Sequence, residues 1–429
     1  MRPGKTPYLF LLFTCSCFVL ASACSTSTPG STATPTPSGQ VPVATSTASP
    51  STQTSCPAAG TARPAVMPSM APGSHQNIVY LSEHGGTQTV PSQATLMRYD
   101  MTTGSKSTIL TLTHPDMGIT GVQISADGQW ILFVALALSE NQARLQLVRS
   151  DGQGLQTLFC TSMNEIGSIQ WSPDSQHVAF TALASGGQDT AIYVLDLATA
   201  RLEQIVVGNY TPQSWLDTTR LYITQGQHYD NNSLSSLQTL YLLDTGKGGN
   251  QEPGSLTRVA SANAICGSFE QSSDGTQVFS SSCTPVEPDN CRGYALQGPS
   301  TLSALSAAGG TARTIYSSQS HAIAALHAVS SQTLLMYIEN TGGDFSQNGL
   351  WKINTDGSGL TRLTTTAGQR CADLEYAVEW PQIISNGQSY ALRTNESLMV
   401  GSLNGGAPRM FETMSMSEGI LNLVGMAMM

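Results

Sequence analysis

Short apolar runs alternate with turn-forming residues along most of this chain, and one arrangement keeps returning. In Ile169-Gln170-Trp171-Ser172-Pro173-Asp174-Ser175-Gln176-His177-Val178-Ala179-Phe180 two apolar stretches flank a polar centre. Pro173 presets φ for a turn, Asp174 can cap its own backbone, and alternating apolar residues follow, so the pattern predicts two short strands joined as a hairpin. Counting Asp to Asp, the same pattern stands 47 positions earlier in Ile124-Ser125-Ala126-Asp127-Gly128-Gln129-Trp130-Ile131-Leu132-Phe133. It returns around Asp274 in Gln271-Ser272-Ser273-Asp274-Gly275-Thr276-Gln277-Val278-Phe279, and in weaker form around Asp217 and around Asn386-Gly387.

A second strand pair follows each hairpin. Ala191-Ile192-Tyr193-Val194-Leu195-Asp196 precedes Leu202-Glu203-Gln204-Ile205-Val206, and Leu350-Trp351-Lys352-Ile353-Asn354 precedes Asp356-Gly357-Ser358-Gly359 and Leu360-Thr361-Arg362-Leu363. Each unit therefore holds four strands. Its first hairpin turns at Asp-Gly or an equivalent, its second at Asp-x-x-x-Gly or Asp-Gly-x-Gly. A four-stranded unit returning every 43 to 58 residues, without a helical period between copies, predicts an all-β fold, a β-propeller. Units begin near Asn77, Thr120, Ile166, Thr211, Ala264, Ala322 and Ala377, which makes seven blades, with six or eight as alternatives. The first unit lacks an inner strand, and the chain ends in an apolar strand, residues 419–428, without a unit of its own. That strand is expected to close the ring and remove two exposed sheet edges.

Composition agrees with this reading. The 429 residues are 40% hydrophobic and only 11% charged, and the formal net charge is -10. So few basic residues supply no stripe for phosphates, and nucleic acid is not expected as a partner.

The N-terminus changes the picture more. Met1-Arg2-Pro3-Gly4-Lys5, an apolar run over residues 8–20 and Ala21-Ser22-Ala23-Cys24 follow the order of a secretory signal. The run is too short for a stable membrane span. Its end resembles a bacterial lipobox, with Cys24 as the lipidated residue, although Leu20 stands four positions before Cys24 where the usual pattern has three. Ala21-Ser22-Ala23 equally suits the ordinary signal peptidase, which would release the protein. The domain reading is thus a signal peptide over residues 1–23, a disordered tether over residues 24–74 and a propeller over residues 75–429. The tether is Ser, Thr, Pro and Ala with almost no charge, unable to bury enough apolar surface to fold. Roughly 50 flexible residues give a reach of about 40 Å.

Beyond the signal and Cys24, six cysteines remain: Cys56, Cys160, Cys266, Cys283, Cys291 and Cys371. An even number suits an oxidising compartment. Cys266 and Cys283 flank the Asp274-Gly275 turn and can face each other across one hairpin. Cys283 and Cys291 can instead close a short loop, and free buried thiols are the third option. No Cys-x-x-Cys is present to suggest zinc or thioredoxin-like chemistry.

Trp171-Ser172-Pro173-Asp174, together with Ile353-Asn354-Thr355-Asp356-Gly357-Ser358-Gly359-Leu360-Thr361-Arg362-Leu363-Thr364, resembles the WD-like repeats of the TolB-type propellers. The resemblance covers about residues 77–429 and is sharpest in the second, third and sixth units. It is weakest in the fifth, which a Cys-bearing insert interrupts. It implies a non-catalytic envelope scaffold that binds partner proteins. TolB itself has a small α/β domain before its propeller where this chain has a tether, so its partners do not carry over.

Candidate chemistry is thin. Related propellers precede the hydrolase domain of prolyl-oligopeptidase-like peptidases, but that domain needs about 200 further residues and a Gly-x-Ser-x-Gly elbow, and neither occurs here. The histidines His75, His84, His114, His177, His228, His321 and His327 include no i, i+4 metal pair. The turn residues Asp127, Asp174, Asp217, Asp274 and Asp356 are explained by backbone capping, and no calcium-loop run accompanies them. The tryptophans recur at strand positions, which suits packing between blades better than sugar stacking. His228, Tyr229 and Asp230 lie in a long hairpin loop of the fourth unit and form a candidate recognition loop.

The sequence therefore predicts an extracytoplasmic, lipid-anchored propeller acting as a protein-binding or scaffold module of the cell envelope. No cofactor, metal or catalytic residue is expected; its partner is an unidentified envelope or extracellular protein, and its lipid meets the membrane. The alternative is a propeller enzyme, a lyase or lactonase-type hydrolase, with a site in the central channel. A sensory ectodomain is a third possibility, without a second membrane segment to pass a signal inward.

Overall fold

The computed structural model describes residues 53–71, 73–85, 93–113, 117–137, 140–162, 166–185, 189–225, 237–247, 251–252, 255–286, 295–340, 344–366, 381–394, 396–415 and 418–429. Blade 1 holds β1 (Gln76–His84), β2 (Gln93–Asp100) and β3 (Lys106–Thr113). Blade 2 holds β4 (Met117–Ile124), β5 (Trp130–Ala137), β6 (Gln142–Arg149) and β7 (Gln156–Ser162). Blade 3 holds β8 (Ile169–Trp171), β9 (His177–Leu183), β10 (Thr190–Asp196) and β11 (Leu202–Val207). Blade 4 holds β12 (Tyr210–Trp215), β13 (Arg220–Gln225), β14 (Leu237–Asp244) and β15 (Thr257–Asn263). Blade 5 holds β16 (Ser268–Gln271), β17 (Gln277–Val286), β18 (Ala295–Ser306) and β19 (Arg313–Ser318). Blade 6 holds β20 (Ala322–Ala328), β21 (Thr333–Glu339), β22 (Gly349–Asn354) and β23 (Thr361–Arg362). Blade 7 holds β24 (Gln382–Ser385), β25 (Ser389–Thr394), β26 (Ser397–Ser402) and β27 (Arg409–Thr413), and β28 (Gly419–Met428) ends the chain.

Seven four-stranded antiparallel sheets result, and β28 supplies the fourth strand of blade 1, in the order β28-β1-β2-β3. It pairs with β1 from Gln76↔Met428 to His84↔Gly419. The propeller is therefore seven-bladed and closed by its C-terminal strand. First strands of neighbouring blades touch one another, β4 with β8, β8 with β12, β16 with β20, β20 with β24, β24 with β28 and β28 with β4, so they ring the axis.

The apolar runs are continuous in the second strands because both faces of those strands are packed. In β5, Leu132 and Val134 meet Val178 and Phe180 of blade 3, while Ile131 and Phe133 meet Val79 and Leu81 of blade 1. The outer pairing carries a second repeat absent from the turn pattern. In six blades the register between third and fourth strand shifts just after an apolar residue, Leu96, Leu145, Ile192, Leu240, Leu302 or Leu398. Such bulges add twist at the blade rim.

Strand direction gives the two faces different characters. Both hairpin turns of a blade lie on one face, here called the turn face. There Ser125, Ser172 and Ser272 each accept an amide bond from the residue closing their Asp turn, at 2.9–3.0 Å. The residue after each Asp takes positive φ, as Gly128, Ser175 and Gly275. On the opposite face the second and third strands, and successive blades, are connected.

One expectation moves. Composition extends the disordered tether to residue 74, but residues 53–71 are seated on blades 2 and 3. Gln53 bridges Gln156 in parallel, Cys56 is disulfide-bonded to Cys160, and the Arg63 guanidinium donates to the carbonyls of Gln53, Ser55 and Thr157. The Gln156 side chain grips Val66 by both backbone groups at 2.8 Å, and the Gln129 Oε1 accepts from the Met70 amide. Ala62, Ala65 and Met67 cap the core between the two blades. This strap has the composition of a linker because backbone bonds and a cross-link hold it, neither of which needs an apolar pattern.

The second disulfide joins Cys266 to Cys283, with Cα atoms 5.8 Å apart. Of the two loops open to Cys283, the structure takes the hairpin, and closure onto Cys291 is overturned. Cys283 sits where the β17–β18 register shifts, between Ser282 and Thr284. Cys291, Cys24 and the loop His228, Tyr229 and Asp230 lie outside the described residues.

Candidate functional site

The inner strands carry polar residues where the core pattern would place apolar ones, and these residues bond from blade to blade. Gln123 donates to Gln170 at 3.0 Å and accepts from the Trp171 amide. The Trp215 indole donates to the Gln170 carbonyl. Ser214 donates to Gln271, whose amide returns to the Leu216 carbonyl, both at 3.4 Å. His327 Nε2 lies 3.0 Å from Ser385 Oγ. Gln382 donates to Asn422 of the closing strand and accepts from the Leu423 amide, and Arg393 adds a 2.7 Å bond to Asn422 Oδ1. Side chains near the channel thus replace the sheet bonds that separate blades cannot exchange, and they satisfy polar groups away from water.

Besides Arg393, two members of this girdle are ionisable. Glu270, at the position of Gln123 and Gln170 in the repeat, accepts the backbone amide of Ala328 from blade 6. Burial pushes its carboxyl up to about 7, against the pull of that amide. Burial also lowers the His327 imidazole to about 4, so it is neutral at ordinary pH. Glu270 and His327 both line a cavity of about 660 Å³ at the turn-face mouth, with Gln213, Ser214, Trp215, Phe269 and Gln271 in its wall. A groove of about 710 Å³ runs between the strap and the turns of blades 2 and 3, lined by Met67, Asp127, Trp130, Asp174, Gln176 and Leu197 among others. Pro173 lines both, so the two spaces adjoin.

The turn aspartates named from the sequence all lie on this face. Asp127, Asp174 and Asp274 each take their own repeat serine at 2.5–2.7 Å and the amide two residues on at 3.0 Å. Asp217 takes the amides of Thr219 and Arg220 and pairs with the Arg220 guanidinium at 2.7 Å. Asp356 belongs to the second hairpin of blade 6 and takes the Ser358 amide and hydroxyl. Trp171 is buried in the core between blades 2 and 3, and Pro173 is exposed at the mouth. Asp127, Pro173, Asp174 and Asp274 border the two spaces, whereas Asp217 and Asp356 line neither. Among the described residues no three His, Cys, Asp or Glu side chains converge as metal ligands.

Glu270 escaped the sequence reading, as did the role of His327. A signal for Glu270 existed: four residues before the repeat aspartate the second and third units have Gln123 and Gln170, and the fifth has an acid.

No protein-family model matches the chain, and no curated protein matches it. Solved structures do. The β-propeller domain of the trilobed protease from Pyrococcus furiosus is 10% identical, over 84% of this chain and 98% of that one, with a TM-score of 0.52. Acylaminoacyl peptidase from Pyrococcus horikoshii is 11% identical over 78% of this chain, with a TM-score of 0.50, and this chain spans 50% of that enzyme's length. TolB from Acinetobacter baumannii is 18% identical, over 70% of this chain and 66% of that one, with a TM-score of 0.40, too loose to carry an argument. At such identities the likeness shows the propeller fold alone. The Pyrococcus furiosus propeller has an open velcro topology; here β28 completes blade 1.

Proposed function

We propose that this protein is an extracytoplasmic binding module of the cell envelope, tethered through lipid on Cys24, that takes a partner protein at its turn face. The observation carrying the reading is the cavity at the channel mouth and the groove beside it, built on tight, hydrogen-bonded turns of blades 2 to 5. Rigid turns hold a recognition surface in one geometry, which lowers the ordering cost of binding. The disulfides Cys56–Cys160 and Cys266–Cys283 support an oxidising compartment. A second reading, a propeller enzyme acting in the channel, is favoured by one observation, the Glu270 carboxyl held near neutrality where a general acid or base works best.

Full-length protein cross-linked in cell envelope and then captured tests the binding reading. Ser273 is exposed at the mouth, and Ser273→Trp obstructs the cavity without touching the core. A partner captured by the parent and lost from Ser273→Trp is expected; capture indifferent to that change overturns the site. Labelled palmitate should enter the parent and not Cys24→Ser, and equal labelling would remove the anchor.

A further inference from the structure

The two turn-face spaces share an electrostatic character. Four acids line them, Asp127, Asp174, Asp274 and Glu270, and among the described residues no lysine or arginine does. Several carboxylates elsewhere are paired: Glu412 with Lys106, Asp151 with Arg149, Asp217 with Arg220. Glu270 has an amide, but no ion pair among the described residues, and it stands where burial penalises its charge. A half-buried carboxyl without a cation loses part of its hydration when ionised. A cationic ligand supplies the missing charge.

Building on the proposed turn-face site, we propose that its occupant is a lysine-bearing segment of the partner protein, the ammonium entering the channel mouth against Glu270 and the flanking chain lying in the groove toward the strap. The walls suit this side chain. Trp215, Leu216 and Phe269 offer apolar surface to the four-carbon stem, and Gln213 and Gln271 add polar wall to the same cavity. Lysine fits better than arginine because a compact charge needs one free carboxylate oxygen, whereas a guanidinium prefers both and the Ala328 amide already bonds the Glu270 carboxylate. Asp174 and Asp127 then attract further positive charge along the groove, and their bonds to turn serines hold them in place.

Proton linkage separates this site from general attraction to a chain of net charge -10. The titratable groups sharing the cavity with Glu270 are Asp274 on its own turn, Tyr222 of β13 and His327 of β20. Asp274 is held below the ordinary carboxylate range by Ser272 and the Thr276 amide, Tyr222 is pushed up to about 12 by burial, and His327 is neutral. Of the groups lining the cavity, Glu270 is the one poised to exchange a proton near pH 7, so an ammonium beside it should expel protons on binding, and Glu270→Gln removes that share of the release.

The test is calorimetric titration of the full chain with hexalysine and hexaglutamate at pH 7 and about 0.15 M salt, in two buffers of different ionisation enthalpy. Hexalysine should bind, release protons and bind more tightly as pH rises from 6 to 8; hexaglutamate should not bind. Glu270→Gln should cut the proton release and weaken binding about tenfold or more, while Asp356→Asn, outside both spaces, should change neither. Equal binding by Glu270→Gln, binding without proton release, or no binding overturns the proposal. If hexalysine fails while partner capture still depends on an open mouth at Ser273, the lysine class falls and the binding site stands. If neither depends on the mouth, both fall.

Discussion

The closing strand offers a sharp test, because neighbouring residues in it occupy opposite environments. Leu421 is 5% exposed and packs with Ile78, Tyr80 and Leu398 at the seam of blades 1 and 7, whereas Ile420, beside it, is 41% exposed. Truncating a buried leucine to alanine costs about 3 kcal/mol when the site cannot collapse, and the seam, walled by second strands of two blades, has little room to do so. The same truncation at Ile420 should cost less than about 1 kcal/mol. Unfolding entropy near 2.1 cal/mol/K per residue over the 314 described residues is about 0.7 kcal/mol/K, so Leu421→Ala should lower Tm by about 4–5 °C. Calorimetry with a urea titration measures both variants. If Leu421→Ala and Ile420→Ala shift stability equally little, β28 is not seated in blade 1 in solution and closure by this strand is refuted.

Asn422→Ala should cost about 1.5–3 kcal/mol in urea unfolding, since it removes an acceptor from the buried Arg393 guanidinium and from Gln382 at the blade 7 to blade 1 joint. Replacing Cys56 and Cys160 by serine opens a cross-link spanning 104 residues; stability should fall by up to about 4 kcal/mol, and trypsin should gain access to Arg63, which limited proteolysis detects. Stability should fall as acid is added below about pH 4, because Asp274 and Asp356 are held below the ordinary range by the Ser272 and Ser358 hydroxyls and nearby amides; Asp274→Asn should flatten that limb of the pH–stability curve. Burial raises Glu339 to about 7, so its contribution to stability is lost as pH rises from about 4.5 to 7; Glu339→Gln should therefore be more stable than the parent at pH 8 and unchanged at pH 4, as thermal melts at the two pH values show.

The sequence by itself determined the repeating unit and the strand left over to close the ring; it favoured seven blades over six or eight, and the seven sheets of the structure decided the count. The unit and the leftover strand are local properties: turns at Asp127, Asp174 and Asp274 are built within a few residues, and the apolar run of β5 follows from a strand packed on both faces. Tertiary structure decided what depends on residues far apart in the chain. The strap over residues 53–71 has a linker's composition, and only its contacts with Cys160, Gln156 and Gln129 distinguish it from one. Cys266 could pair with Cys283 because the hairpin brings their Cα atoms to 5.8 Å, a distance that spacing alone does not fix. Glu270 became a candidate for the same reason. Its carboxyl is an ordinary acid in sequence, and its raised pKa arises from burial created when neighbouring blades come together around the channel.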